Sequence, residues 1–274
     1  MIRIVRFFIA ALAGLALAAP AAAATTTIDY SDLWYNAPAE SEAGWGVNVA
    51  QQGETLFVTL FVYGSDGTPH WYVGSNVVAT ASNAFSGQLF NIASGTYFAN
   101  PWAGIGSVQA VGNIAFTFNS ATTGAMTYTV NNVQVTKNIV RQTWAGENLG
   151  GTYVGAVTGF GSTCGPTGRV RIPGALVVTH DTASAAVTMT LDFAVSPTQT
   201  GRCTYHGSYS KVGSMGTIGA GTYSCDVNGV VNAVVGNFTV DEIRATRNGW
   251  LGRITVVSPN CDYAGYMGGV KDSF

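Results

Sequence analysis

The sequence predicts an all-β chain built from two antiparallel domains, each a small barrel or sandwich of about eight strands. Three observations lead there. Only 9% of the 274 residues are charged, so long exposed helical faces, normally made of Glu, Lys and Arg, lack their material. Glycine fills 35 positions, and short runs of apolar alternation recur between Gly, Asn, Asp and Ser turn signals. No segment sustains a helical period. Hydrophobic residues make up 47% of the chain, which excludes a charge-solvated disordered protein. A net charge of −2 excludes a basic nucleic-acid binder.

The first 24 residues read as a secretory signal and are set apart from the fold. Arg3 and Arg6 supply the positive start, Phe7 to Ala19 the apolar stretch, and Ala22-Ala23-Ala24 a cleavage site of small residues. No later stretch is apolar and long enough for a membrane helix, so the expected mature form has no such span and is secreted or periplasmic.

Residues 25–148 follow as a Trp-rich β-domain. Strands are expected at 31–36, 44–51, 55–63, 69–78, 84–92, 107–118, 125–130 and 133–141. Gln52-Gly53, Ser65-Asp66-Gly67, Ala121 to Gly124 and Asn131-Asn132 mark turns between them. Phe116 and Phe118 oppose Met126, Tyr128 and Val130 across one such turn, a hairpin signal. In 55–63, Leu56, Val58, Leu60 and Val62 share one face while Phe57, Thr59, Phe61 and Tyr63 share the other. That strand is therefore expected to be covered on both sides or nearly so.

The segment Gly146 to Gly151 reads as a short linker into a second β-domain, residues 149–274. Strands are expected there at 151–157, 169–179, 185–194, 202–210, 217–225, 234–246, 250–257 and 262–270. A Gly-x-Tyr pattern at Gly151-Thr152-Tyr153, Gly207-Ser208-Tyr209 and Gly221-Thr222-Tyr223, with a partial match at Gly265-Tyr266, reads as packing: glycine relieves crowding where a barrel bends and tyrosine fills the space opposite. All four cysteines lie in this half, and an even count in an exported chain predicts two disulfides. Cys203 and Cys225 flank a hairpin centred on Ser214, so antiparallel pairing brings them together. If the sheet closes, its last strand meets its first, and Cys261 meets Cys164. Cys203 and His206 lack a second ligand pair, so neither a metal nor a cofactor is expected.

The halves differ in character. Residues 25–148 hold two basic groups, Lys137 and Arg141, against seven acids, whereas 149–274 hold eight basic groups against seven. Trp34, Trp45, Trp71, Trp102 and Trp144 all lie in the first half. Rigid amphipathic aromatic faces bind sugars, peptides and aromatic ligands well. Glu40 and Glu42 lie just before Trp45, which sits between Gly44 and Gly46. The expected function is therefore non-catalytic binding at the cell envelope or outside it, with a glycan or other extracellular ligand as partner. The candidate contact residues are Trp34, Glu40, Glu42, Trp45, Asn48 and Trp71. Two alternatives stay open: a hydrolase using Glu40 and Glu42, and a structural or assembly module of the envelope. Asp66 with His70 is a weaker acid–base pair, because Asp66 reads as a turn residue, and no Gly-x-Ser-x-Gly occurs. An outer-membrane barrel, which the terminal Phe274 brings to mind, fits poorly with strands apolar on both faces and the polar end Lys271-Asp272-Ser273.

The series Asp32-Leu33-Trp34-Tyr35-Asn36, Gly44-Trp45-Gly46-Val47-Asn48 and Gln52-Gly53-Glu54-Thr55-Leu56-Phe57, ending in Gly67, Pro69 and Trp71, resembles a domain of secreted proteobacterial proteins. That domain carries W-x-N-P-x-E-S-G-W-G, then Q-G-D-T-x-F and G-x-P-x-W. The resemblance spans residues 30–144 and implies secretion without implying a reaction. This chain departs from the pattern at Ser41-Glu42-Ala43-Gly44, where its loop is two residues longer.

Overall fold

A computed structural model describes residues 26–164 and 167–272; the expected leader, residues 1–24, and Phe274 lie outside the described residues. The described chain is all-β, without helices, and forms two closed antiparallel barrels of eight strands each. The first comprises β1 (Asp32–Asn36), β2 (Gly46–Gln52), β3 (Thr55–Tyr63), β4 (Pro69–Ala81), β5 (Ala84–Gly95), β6 (Ile105–Phe118), β7 (Thr123–Val130) and β8 (Val133–Arg141). The second comprises β9 (Gly151–Phe160), β10 (Arg169–Asp181), β11 (Ala186–Ser196), β12 (Gln199–Val212), β13 (Met215–Val227), β14 (Val230–Thr246), β15 (Gly249–Val257) and β16 (Tyr263–Lys271). Each strand pairs with its sequence neighbours, and the circles close through β1–β8 and β9–β16.

Eight strands leave an interior just wide enough for side chains, and both barrels fill it with apolar groups. In the first, Leu56, Val58 and Leu60 from β3 meet Phe85, Leu89, Ile114 and Phe116. Tyr30 closes the lower end, stacked on Phe118 with ring centroids 3.7 Å apart. In the second, Leu176, Met189, Ile218 and Met267 surround Tyr153, Tyr205 and Tyr223. The Gly-x-Tyr tyrosines Tyr153, Tyr209 and Tyr223 are buried, as packing requires, while Tyr266 of the partial match faces outward. Cys203 lies opposite Cys225 in the β12–β13 register, and the two are bonded across a turn at Gly213-Ser214. Cys164 is bonded to Cys261, joining the β9–β10 and β15–β16 loops.

One expectation is corrected. The outer face of β3 is not covered: Phe57, Phe61 and Tyr63 are exposed. A closed barrel buries only its inward positions, and among the described residues no layer packs over β3.

In an up-and-down barrel, alternate connections lie at opposite ends. The upper end of the first barrel therefore carries residues 37–45, 64–68, 96–104 and the Asn131-Asn132 turn. Its lower end, with the start of β1 and the end of β8, meets the second barrel. There Arg141 is buried and donates to Asp32 Oδ2 (2.9 Å), Asp29 O (2.7 Å) and Ser31 O (3.0 Å). From the second barrel, Ser214 N donates to the same Asp32 oxygen (2.7 Å) and Gly213 N to Thr143 Oγ1 (2.6 Å). Arg244 adds an ion pair to Asp29 (2.7 Å). Gly213 has φ +62°, and a Cβ there would run into Arg141 and Asp32. The connecting segment is also fastened: Leu149 is buried, and Glu147 pairs with Lys211 (2.7 Å).

Candidate functional site

The β1–β2 loop is held by its own polar groups. Asn36 Nδ2 donates to Ser41 Oγ (3.2 Å), Ala37 N to Asn138 O (2.8 Å) and Trp45 N to Glu42 O (3.2 Å). Gly44 has φ +88°, and a Cβ there would overlap the Tyr63 ring, so glycine lets Tyr63 lie against the loop. Gly53 and Gly67 also have positive φ, which explains much of the glycine pattern of the motif as turn chemistry.

Of the six residues expected to bind a ligand, the structure separates the tryptophans. Trp34 is core: its Nε1 donates to Tyr30 O (3.0 Å), and the Arg141 guanidinium lies 4.8 Å from its ring. Trp45 is also buried, with Nε1 donating to Tyr128 Oη (3.2 Å). Alternation along β1 and the seat of Gly44–Gly46 beside the barrel mouth turn both indoles inward, so neither offers an open ring face. Trp71 is different, with 48% of its surface exposed. Asn48 is exposed on the outer face of β2. Glu40 and Glu42 are exposed at the loop; Lys137 Nζ sits 2.6 Å from Glu42 and 5.7 Å from the centroid of Trp45.

The register shows what these residues have in common. The pairings Trp34↔Val47 and Leu33↔Asn48 set Tyr35 beside Gly46; Gly46 pairs with Phe61, and Phe61 with Trp71. Tyr35, Gly46, Phe61 and Trp71 thus form one outward row across four adjacent strands. Neighbouring strands lie about 4.8 Å apart, so the glycine leaves an opening of about 10 Å between Tyr35 and Phe61. A groove of about 530 Å³ lies there; Tyr35, Gly46, Phe61, Glu40 and Glu42 line it, Trp34 and Trp45 also border it, and Trp71 stands outside its lining. Asn48 stands one row lower, opposite Thr59, also facing out.

Sequence reading did not single out Tyr35, Gly46 and Phe61 as candidate site residues. The signal for Phe61 lies in the β3 alternation, whose second face the structure leaves open to solvent.

The remaining candidates resolve into structural roles. Asp66 Oδ1 accepts from Thr68 N (3.0 Å) and Thr68 Oγ1 (2.8 Å), and those hydrogen bonds hold its carboxyl below the usual range. His70 Nε2 contacts the same Thr68 hydroxyl (3.2 Å) rather than Asp66. Cys203 is consumed in its disulfide, and His206 Nδ1 lies 3.1 Å from Thr188 Oγ1. Among the described residues, no three His, Cys, Asp or Glu side chains gather where they would hold a metal ion. Comparison with known proteins finds no protein-family model and no curated protein that matches the sequence.

Proposed function

We propose that the first barrel is a glycan-binding module whose site is the outer-wall row Tyr35, Gly46, Phe61 and Trp71 together with the groove that opens at Gly46. The aromatic row carries this reading. Flat rings spaced across a sheet suit the apolar faces of successive sugar rings, and a glycine between them gives one ring room to settle. Glu40, Glu42 and Asn48 supply acceptors and donors beside that row for hydroxyl groups. Two disulfides are compatible with an extracellular or periplasmic setting, where such polymers are met. The motif resemblance to secreted proteobacterial proteins points the same way.

The test is a glycan array followed by titration of intrinsic tryptophan fluorescence. Trp71→Ala and Phe61→Ala are each expected to weaken binding at least about tenfold, as loss of a stacking face should, without changing the circular dichroism spectrum. Unchanged binding in both variants, or no binding to any glycan, rejects the proposal. The hydrolase reading has one specific support, the presence of both Glu40 and Glu42 in the groove lining. It requires glycan turnover by the parent protein that disappears in Glu40→Gln.

A further inference from the structure

A second feature of the upper end is independent of the groove. The last pairs of the β5–β6 ladder, from Asn91↔Gln109 to Gly95↔Ile105, extend past the pairing of β5 with β4, which ends at Val73↔Phe90, and of β6 with β7, which ends at Gly112↔Val130. The two strands therefore leave the barrel rim as a two-stranded ribbon. Its tip, residues 96–104, carries Tyr97, Phe98 and Trp102, which are 60%, 90% and 71% exposed. Ile105 and Val108 extend the apolar surface down the ribbon. An isolated two-stranded ribbon is marginally stable in water, and large exposed aromatic side chains at its end mark an interaction surface.

The chemistry of the tip identifies its partner. From Gly67 to Thr136 the sequence contains no Asp, Glu, Lys or Arg, so the ribbon offers no charge to pair with an anionic lipid or a charged protein surface. The charged groups of the upper end, Glu40, Glu42, Asp66 and Lys137, sit on other elements. Tyr and Trp combined with an aliphatic flank match the headgroup–acyl boundary of a bilayer, where aromatic rings sit with one edge wet. Part of the tip's polar backbone is hydrogen-bonded within the loop. Ala103 N donates to Thr96 Oγ1 (2.9 Å), Thr96 Oγ1 donates to Gly104 O (3.3 Å), and Asn100 N donates to Tyr97 O (2.9 Å). Pro101 has no N–H to satisfy. The ribbon springs from the end of the first barrel opposite the second barrel, so a membrane can approach the tip without meeting the second barrel.

We propose that the β5–β6 ribbon is a membrane anchor whose tip residues Tyr97, Phe98 and Trp102 insert into the interfacial zone of an uncharged lipid surface. The experiment uses the exported, processed protein and phosphatidylcholine vesicles. Co-sedimentation is expected for the parent, with Trp102 emission quenched by lipids brominated on their acyl chains. Binding should persist in about 0.5 M salt, where exposed charges are screened beyond a few ångströms. Phe98→Ser combined with Trp102→Ser should reduce partitioning at least about tenfold; both side chains are exposed, so the fold is unaffected. Trp102→Phe should retain binding while losing most of the quenching. The proposal is overturned by a parent that does not sediment with the vesicles, by equal sedimentation of the double variant, or by binding that salt abolishes. Glycan binding by the double variant reports separately on the groove.

Discussion

Trp45 shows how local chemistry and position pull apart. Two flanking glycines and two nearby carboxylates make it look like an open platform, yet its indole is buried and donates to Tyr128. Its loss therefore acts on stability first. Trp45→Ala is expected to cost about 3–5 kcal/mol in a denaturant titration, the range for deleting a large buried aromatic. Any loss of ligand binding in that variant would be secondary to unfolding. Trp71, exposed beside Phe61, is the residue whose truncation isolates recognition from folding.

Among the elements, the segment between the barrels carries a pH-sensitive contact. Leu149 N donates to His180 Nδ1 (3.2 Å) near the end of β10, which requires that nitrogen to be unprotonated. Burial pulls the His180 imidazole below its ordinary value of 6.5, opposed only in part by Asp181. Tyr209 meets the ring edge-on at 5.1 Å, and the Glu147–Lys211 pair lies alongside in the same pocket. As the pH falls below 6.5 the unfolded chain takes up the proton before the folded one does. The contribution of this contact is thus complete above that value and is lost progressively below it. Thermal midpoints measured at about pH 7.5 and about pH 5.5 should fall more for the parent than for His180→Gln, whose amide oxygen accepts from Leu149 without titrating. An equal fall in both would remove His180 from the account.

For the whole molecule, the joint between barrels rests on a buried ion pair shared by two domains. Asp32 accepts from Arg141 of its own barrel and from Ser214 N of the other, while Arg141 is stripped of water. Burial pulls the Arg141 guanidinium below its usual range, and the hydrogen bond and charge of Asp32 oppose that shift. Arg141→Met leaves Asp32 buried without its counter-charge and is expected to cost about 3–5 kcal/mol. Because Ser214 loses a correctly placed acceptor as well, limited proteolysis should also cut more readily in residues 142–150 of this variant. A parent-like denaturation midpoint and digestion pattern would show that the barrels are fastened elsewhere.

Much of this architecture was legible in the chain itself. Period-two alternation and turn glycines set all sixteen strands near their observed positions, because a strand's face is decided by neighbours two residues apart. The bridges were legible too: a hairpin is symmetric about its turn at Ser214, and a closed sheet must join its ends. Which aromatic groups face water was decided only by tertiary structure. Closure gives each strand one inside and one outside, and so buries Trp34 and Trp45 while leaving Phe61 and Trp71 open. The Tyr35–Gly46–Phe61–Trp71 row draws on four strands, and the projecting ribbon exists because neighbouring ladders end at different heights. Both depend on register between strands, which no single segment of sequence contains.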